Sequence, residues 1–175
     1  MKRIVVGLLA TCLCVIANAQ IQTKFWGLEL SEHYTSLTSA KNIISDRCAY
    51  ASVEDDSIYA LVGKFGGHTW NLVTFGFYQG VYSKALCSVS FIKECDDKDS
   101  AITMYTSLMR SLNDKYKDCS KVIGDDMQAI WSDSVDKYRC SLTLDGKTNG
   151  VWFVTLIYCD RGLLELALEQ EESEL

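Results

Sequence analysis

The chain has 175 residues, of which 48% are hydrophobic, 23% charged and 11% aromatic. This is the composition of one compact globular domain, not of a disordered, collagen-like or repeat-built chain. Seventeen Lys and Arg stand against 23 Asp and Glu for a formal charge of -6, so the basic footprint of a nucleic-acid binder is missing and no nucleic-acid partner is expected.

The N-terminus carries an address. Met1-Lys2-Arg3 is a basic start, residues 4–16 are an uncharged and predominantly apolar run, and Ala17-Asn18-Ala19 sets small residues before Gln20. That order predicts a signal peptide over residues 1–19. The apolar run is shorter than the roughly 20 residues of a spanning helix, and no membrane span is expected. Cleavage after Ala19 removes Lys2 and Arg3 but no acid, so a periplasmic or secreted domain over residues 20–175 would be more acidic still. The alternative is a lipoprotein: Leu9-Ala10-Thr11-Cys12 loosely resembles a lipobox that would lipidate Cys12.

Along the remaining chain there is no proline and no low-complexity linker, which leaves a single domain. Residues 25–30 alternate as an opening strand, and Ser31 is placed to cap a helix over 32–46, where Leu37, Ala40, Ile43 and Ile44 gather on one face. From 57 to 93 the period falls to two. Strands over 58–65, 69–78 and 84–93, the first two joined by Gly66-Gly67, read as an antiparallel meander. Asp99 is placed to cap a second helix in which Ile102, Tyr105, Leu108, Met109, Leu112 and Tyr116 recur at helical spacing. Strands follow over 127–131, 137–144 and 151–159, and the tail 163–175 reads as a short amphipathic helix ending in Glu169, Glu171, Glu172 and Glu174.

The expected fold is α+β: two helix-plus-meander halves over 21–93 and 97–160, with an antiparallel sheet and the helices packed on one face. Strands 70–78 and 151–158 are apolar on both parities. The second face therefore needs cover, from the other half, a partner chain or a ligand.

Six cysteines remain after the signal: Cys48, Cys87, Cys95, Cys119, Cys140 and Cys159. In an oxidising compartment they could form up to three disulfides, of a connectivity that spacing does not choose. One pair follows from geometry. A two-residue type I′ turn at Asn149-Gly150 would set Cys140 directly opposite Cys159. The mature chain has no Cys-x-x-Cys and only two histidines, His33 and His68, so no metal site and no cofactor is expected.

The segment Met104-Tyr105-Thr106-Ser107-Leu108 to Leu112-Asn113-Asp114-Lys115-Tyr116, then Ile130-Trp131-Ser132-Asp133 and Val154-Thr155-Leu156-Ile157-Tyr158-Cys159-Asp160, resembles a family of small exported bacterial proteins of unknown function. Phe25-Trp26-Gly27 fits that family's opening Phe-x-Gly element. The resemblance covers most of the mature chain and carries no catalytic residues. Its tandem helix-and-sheet order is also similar to the β-lactamase-inhibitor-protein architecture, which implies a concave sheet able to bind another protein; this is a likeness of fold and not of site.

Chemistry-bearing motifs are missing. There is no G-x-S-x-G elbow, P-loop, H-E-x-x-H or dinucleotide fingerprint. Three readings follow. The first is an exported, non-catalytic binding or interaction protein. The second is an exported hydrolase using His68 beside Gly66-Gly67 with loop carboxylates such as Asp97 and Asp99. The third is a homodimer or envelope structural component whose second sheet face is self-paired.

Overall fold

The computed structural model describes residues 20–81, 83–124, 127–146 and 150–173. Expectations placed on the signal peptide, Cys12, Asn149 and Glu174 lie outside the described residues. Over the described residues the protein is mixed α and β, with three α-helices and antiparallel strand pairing throughout the ladders.

The opening segment folds back on itself. β1 (Lys24–Phe25) pairs with β2 (Leu28–Glu29), because Trp26 at φ 52° and Gly27 at φ 97° form a tight two-residue turn. This replaces the single strand expected over 25–30. A Cβ on Gly27 would stand 2.8 Å from Ile43 Cγ2, so glycine meets both the dihedral and the packing there. Next, β3 (His33–Tyr34) pairs with a later strand, and helix α1 (Leu37–Ile44) begins later than expected. Its cap is Ser36, whose hydroxyl accepts from the Ser39 N–H at 3.1 Å. Ser31 is no cap: it sits at φ 68° and donates its N–H to the Leu86 carbonyl at 2.9 Å.

A 3₁₀ turn (Ser45–Arg47) leads into β4 (Cys48–Glu54), a strand that periodicity did not disclose. β4 is an edge strand, exposed at Ala49, Tyr50, Val53 and Glu54, so no buried face impressed an alternation on it. β5 (Ser57–Phe65), β6 (His68–Gln79) and β7 (Lys84–Cys95) form the expected meander. Gly66 and Gly67, at φ 58° and 79°, close the β5–β6 hairpin.

Helix α2 (Lys98–Lys115) is capped by Asp97, two residues before the expected Asp99. The Asp97 carboxylate accepts from the Ser100 N–H at 2.8 Å and its hydroxyl at 2.7 Å. After α2 come β8 (Ser120–Gly124), β9 (Gln128–Ser132), β10 (Tyr138–Gly146), β11 (Trp152–Asp160) and helix α3 (Arg161–Ser173). β8 is exposed along its whole length and, like β4, terminates the sheet.

The main sheet runs β4-β5-β6-β7-β11-β10-β9-β8, with β3 added alongside β7. β7 and β11 meet at its centre, Phe91 opposite Leu156. On one face Val73, Phe75, Phe91, Leu142 and Leu156 are buried beneath Ala40 and Ile44 of α1 and Leu108 and Leu112 of α2. Burying one such large apolar side chain stabilises the fold by about 1.5–3 kcal/mol, and Ile21, Phe25 and Leu28 of the opening segment complete the core that the two helices and this face begin.

Helix α3 departs from the expectation that the helices share one face. Arg139 alternates with buried Cys140 and so projects from the other face. Its guanidinium pairs with Asp136, which also takes Arg161 of α3 at 2.7 Å. The helix packs against β6, β7 and β11 there. Ser88, Ser90, Ile157 and Cys159 are half-buried beside it. The cover that the doubly apolar strands required thus comes in part from the chain's own tail.

The β10–β11 register also differs from expectation. Gly146 pairs with Trp152, which leaves a five-residue connection over 147–151 in place of a two-residue turn. Cys140 stands opposite Tyr158, and Cys159 opposite Arg139. A slip of one residue sends side chains to opposite faces, so Cys140 and Cys159 are not the cross-strand pair that the shorter turn implied. No disulfide is formed among the described residues.

Candidate functional site

The floor of the candidate site is an aromatic group on the helix-covered face. Phe65 stacks on Phe91 with ring centroids 4.3 Å apart and 13° between planes. Phe25, Trp70 and Tyr158 surround that pair, with Phe25 and Tyr158 centroids 4.8 Å apart and Trp70 5.5 Å from Phe91. The tight Gly66-Gly67 turn brings this about: it holds Phe65 beside the start of β6, where the Trp70 indole N–H donates to the Phe65 carbonyl at 3.1 Å.

Between this hairpin and α2 lies a cleft of about 340 Å³. Its walls are Phe65, Trp70, Leu156 and Tyr158 from the sheet and Leu108 and Leu112 from the helix. Gln22, Ser111 and Lys115 supply the polar rim. Lys115 is exposed as a residue, but its ammonium reaches back along the cleft. It donates to the Gln22 side-chain carbonyl and stands 5.2 Å over the Tyr116 ring. Partial desolvation there lowers its pKa below the ordinary lysine value. Among the described residues no carboxylate lines the cleft and none forms an ion pair with Lys115.

Beneath the rim lies a buried polar group. The Tyr158 hydroxyl shares hydrogen bonds with the Tyr116 hydroxyl and the Cys140 thiol, and Gln22 donates its N–H to the Tyr116 hydroxyl at 3.4 Å. Burial pushes all three of Tyr116, Tyr158 and Cys140 far above their ordinary pKa values. They stay neutral at physiological pH and serve as fixed dipoles.

The residues singled out from sequence fall elsewhere. His68 opens β6 and meets Trp70 edge-on at 6.2 Å between ring centroids. Asp97 is occupied in capping α2, and the two hydrogen bonds from Ser100 lower its pKa. Asp99 lies in the helix's first turn, where an acid complements the helix dipole. His33 belongs to β3 and not to a helix; its Nδ1 is 2.8 Å from Ser83 Oγ. Among the cysteines, Cys48 opens β4 with its thiol 3.8 Å from the Ile44 carbonyl, and Cys87 donates to the Gly76 carbonyl at 3.2 Å. Burial raises the pKa of Cys48, Cys95 and Cys119, and that of Cys159 to about 11. These thiols therefore lack the lowered pKa of a nucleophile. Among the described residues no group of three His, Cys, Asp or Glu is placed to hold a metal, and no helix is long and apolar enough to cross a membrane.

Sequence reasoning missed Gln22 and Lys115. A signal for Lys115 was present: Leu108, Leu112 and Lys115 follow at i, i+4 and i+7, which places an ammonium on the apolar stripe of α2. No signal singles out Gln22, which the chain's fold brings to α2 from 93 residues away. No protein-family model, no curated protein and no solved structure matches this chain.

Proposed function

We propose that this chain is an exported binding protein whose ligand site is the cleft between α2 and the β5–β6 hairpin. One observation carries the reading. Apolar and aromatic walls enclose about 340 Å³ with a few convergent polar groups at one end, the usual construction of a small-molecule site. The signal-like order of residues 1–19 supports export. The fold is read as two helix-plus-meander halves, 21–93 and 97–160, because a helix followed by a meander occurs twice and the meanders meet at β7 and β11. Such tandem halves are similar to the β-lactamase-inhibitor-protein architecture.

The test uses Nile red, a neutral apolar dye, with Ser111→Trp. Ser111 is exposed on α2 at the rim of the cleft, so an indole there obstructs it with little effect on the core. Saturable dye binding that Ser111→Trp removes supports the reading; binding indifferent to the substitution overturns it. Export is tested by intact mass after expression from the full chain, a product beginning at Gln20 being the expected result.

A second reading, self-association, is favoured by the β4 edge, where Tyr50 of β4 and Leu61 and Val62 of the adjoining β5 are 60%, 45% and 54% exposed. An open edge is a template for pairing. A solution mass that stays monomeric at every concentration removes it.

A further inference from the structure

We infer that the cleft takes a small free monocarboxylate, its apolar body between α2 and the aromatic floor and its carboxylate on the Lys115 ammonium. The inference rests on the binding reading above and names its ligand class. Lys115 is the one charged side chain among the described residues lining the cleft, and its hydrogen-bond partner there is the neutral Gln22 carbonyl. A neutral ligand would leave that ammonium without a counter-ion, and a cationic one would meet it with nothing to offset the repulsion. A carboxylate instead replaces a neutral acceptor with a charge-assisted one. The Gln22 side chain can give way, since its contacts with Lys115 and with the Lys24 carbonyl are both solvent-exposed and water can replace them.

Size narrows the class. Ligand pockets run from roughly 300 to 1,000 Å³, and this cleft of about 340 Å³ is at the small end. It suits one short alkyl chain or one ring system, and not a two-chain lipid. The walls are mainly apolar, with Phe65, Leu108, Leu112 and Leu156, and the Trp70 N–H and Tyr158 hydroxyl are engaged within the protein, so selectivity resides in the charged end.

Titration calorimetry with octanoate, octanol and octyltrimethylammonium against the purified protein tests this. Octanoate is expected to bind about five-fold tighter than octanol, as one solvent-accessible ion pair provides, and the cation weakest. Lys115→Met should bring octanoate down to the affinity of octanol, while Lys115→Arg keeps the preference. Equal affinities in the unaltered protein, or a preference that survives Lys115→Met, overturn the inference, as does no binding of octanoate at all. Nile red with Ser111→Trp separates the two levels. Dye binding lost in that variant leaves the cleft reading standing when the carboxylate preference fails; dye binding unchanged removes both.

Discussion

The Ser31 hydroxyl donates to the Asp160 carboxylate at 2.6 Å across 129 residues of sequence. Asp160 is buried, and its other oxygen accepts the Leu163 N–H at 3.1 Å, which caps α3. Lys137 lies 3.7 Å away, and Tyr138 shares a hydrogen bond with Ser31 at 2.9 Å. One carboxylate thus ties the segment before α1 to the start of the tail helix. A hydrogen bond to a charged group contributes roughly 1.5–3 kcal/mol, so Ser31→Ala is expected to cost about 2 kcal/mol in urea unfolding. A double-mutant cycle with Asp160→Asn should return a coupling of about 1 kcal/mol. Additive losses would place the two residues in separate roles.

Gly63 should not accept a side chain. A Cβ there would lie 2.1 Å from Cη2 of Trp26, whose indole N–H is fixed to the Lys64 carbonyl at 3.1 Å. Displacing a packed ring of this kind costs about 1–3 kcal/mol. Gly63→Ala is expected to lose stability in that range and to change the Trp26 emission, both read by fluorescence during denaturation.

Asp136 predicts an acid-sensitive contribution. Hydrogen bonds from Arg139 at 2.8 and 2.6 Å, joined by one from Arg161 at 2.7 Å, hold its carboxyl well below the usual carboxylate range. Its folded pKa is lower than its unfolded value of about 3.9, so the unfolded state binds the proton more readily. The stabilisation is therefore complete above about pH 4–5 and is lost as pH falls toward the folded pKa. Asp136→Asn, which tolerates the local φ of 54°, should be less stable than the parent at pH 6, with the gap beginning to narrow below about pH 4 and shrinking further as the pH is lowered. A gap constant with pH would exclude the charge as its origin.

Cys140 and Cys159 face opposite sides of the sheet. A non-reduced digest of the protein is expected to contain no peptide joining them. Cys140, fully buried with its thiol pKa pushed up by that burial, should also be the slowest of the six to alkylate in the native protein. A Cys140–Cys159 linkage would require the register to shift by one residue.

Where one face is buried, the residue pattern was legible. The stripe through Tyr105, Leu108 and Leu112 disclosed α2, and the alternation through Val73, Phe75 and Phe77 disclosed β6, because both are imprinted by the same core. β4 and β8 were silent for the converse reason. They are the sheet's two ends and are largely exposed, so packing left no periodic mark on them. Lys115 was half legible: its place on the α2 stripe could be counted, but not the wall of Phe65 and Trp70 that it faces.

By itself the sequence determined the class of the fold, the order of its helices and central strands, and the need for cover over the second sheet face. These depend on local spacing, which each segment carries alone. The tertiary structure decided what spacing cannot encode. It set the β10–β11 register through the length of the connection after Gly146, and it set α3 on the face opposite α1 and α2, against β6, β7 and β11. It also assembled a cleft from residues as distant as Gln22 and Tyr158. A site built from both ends of a chain becomes visible only when the ends meet.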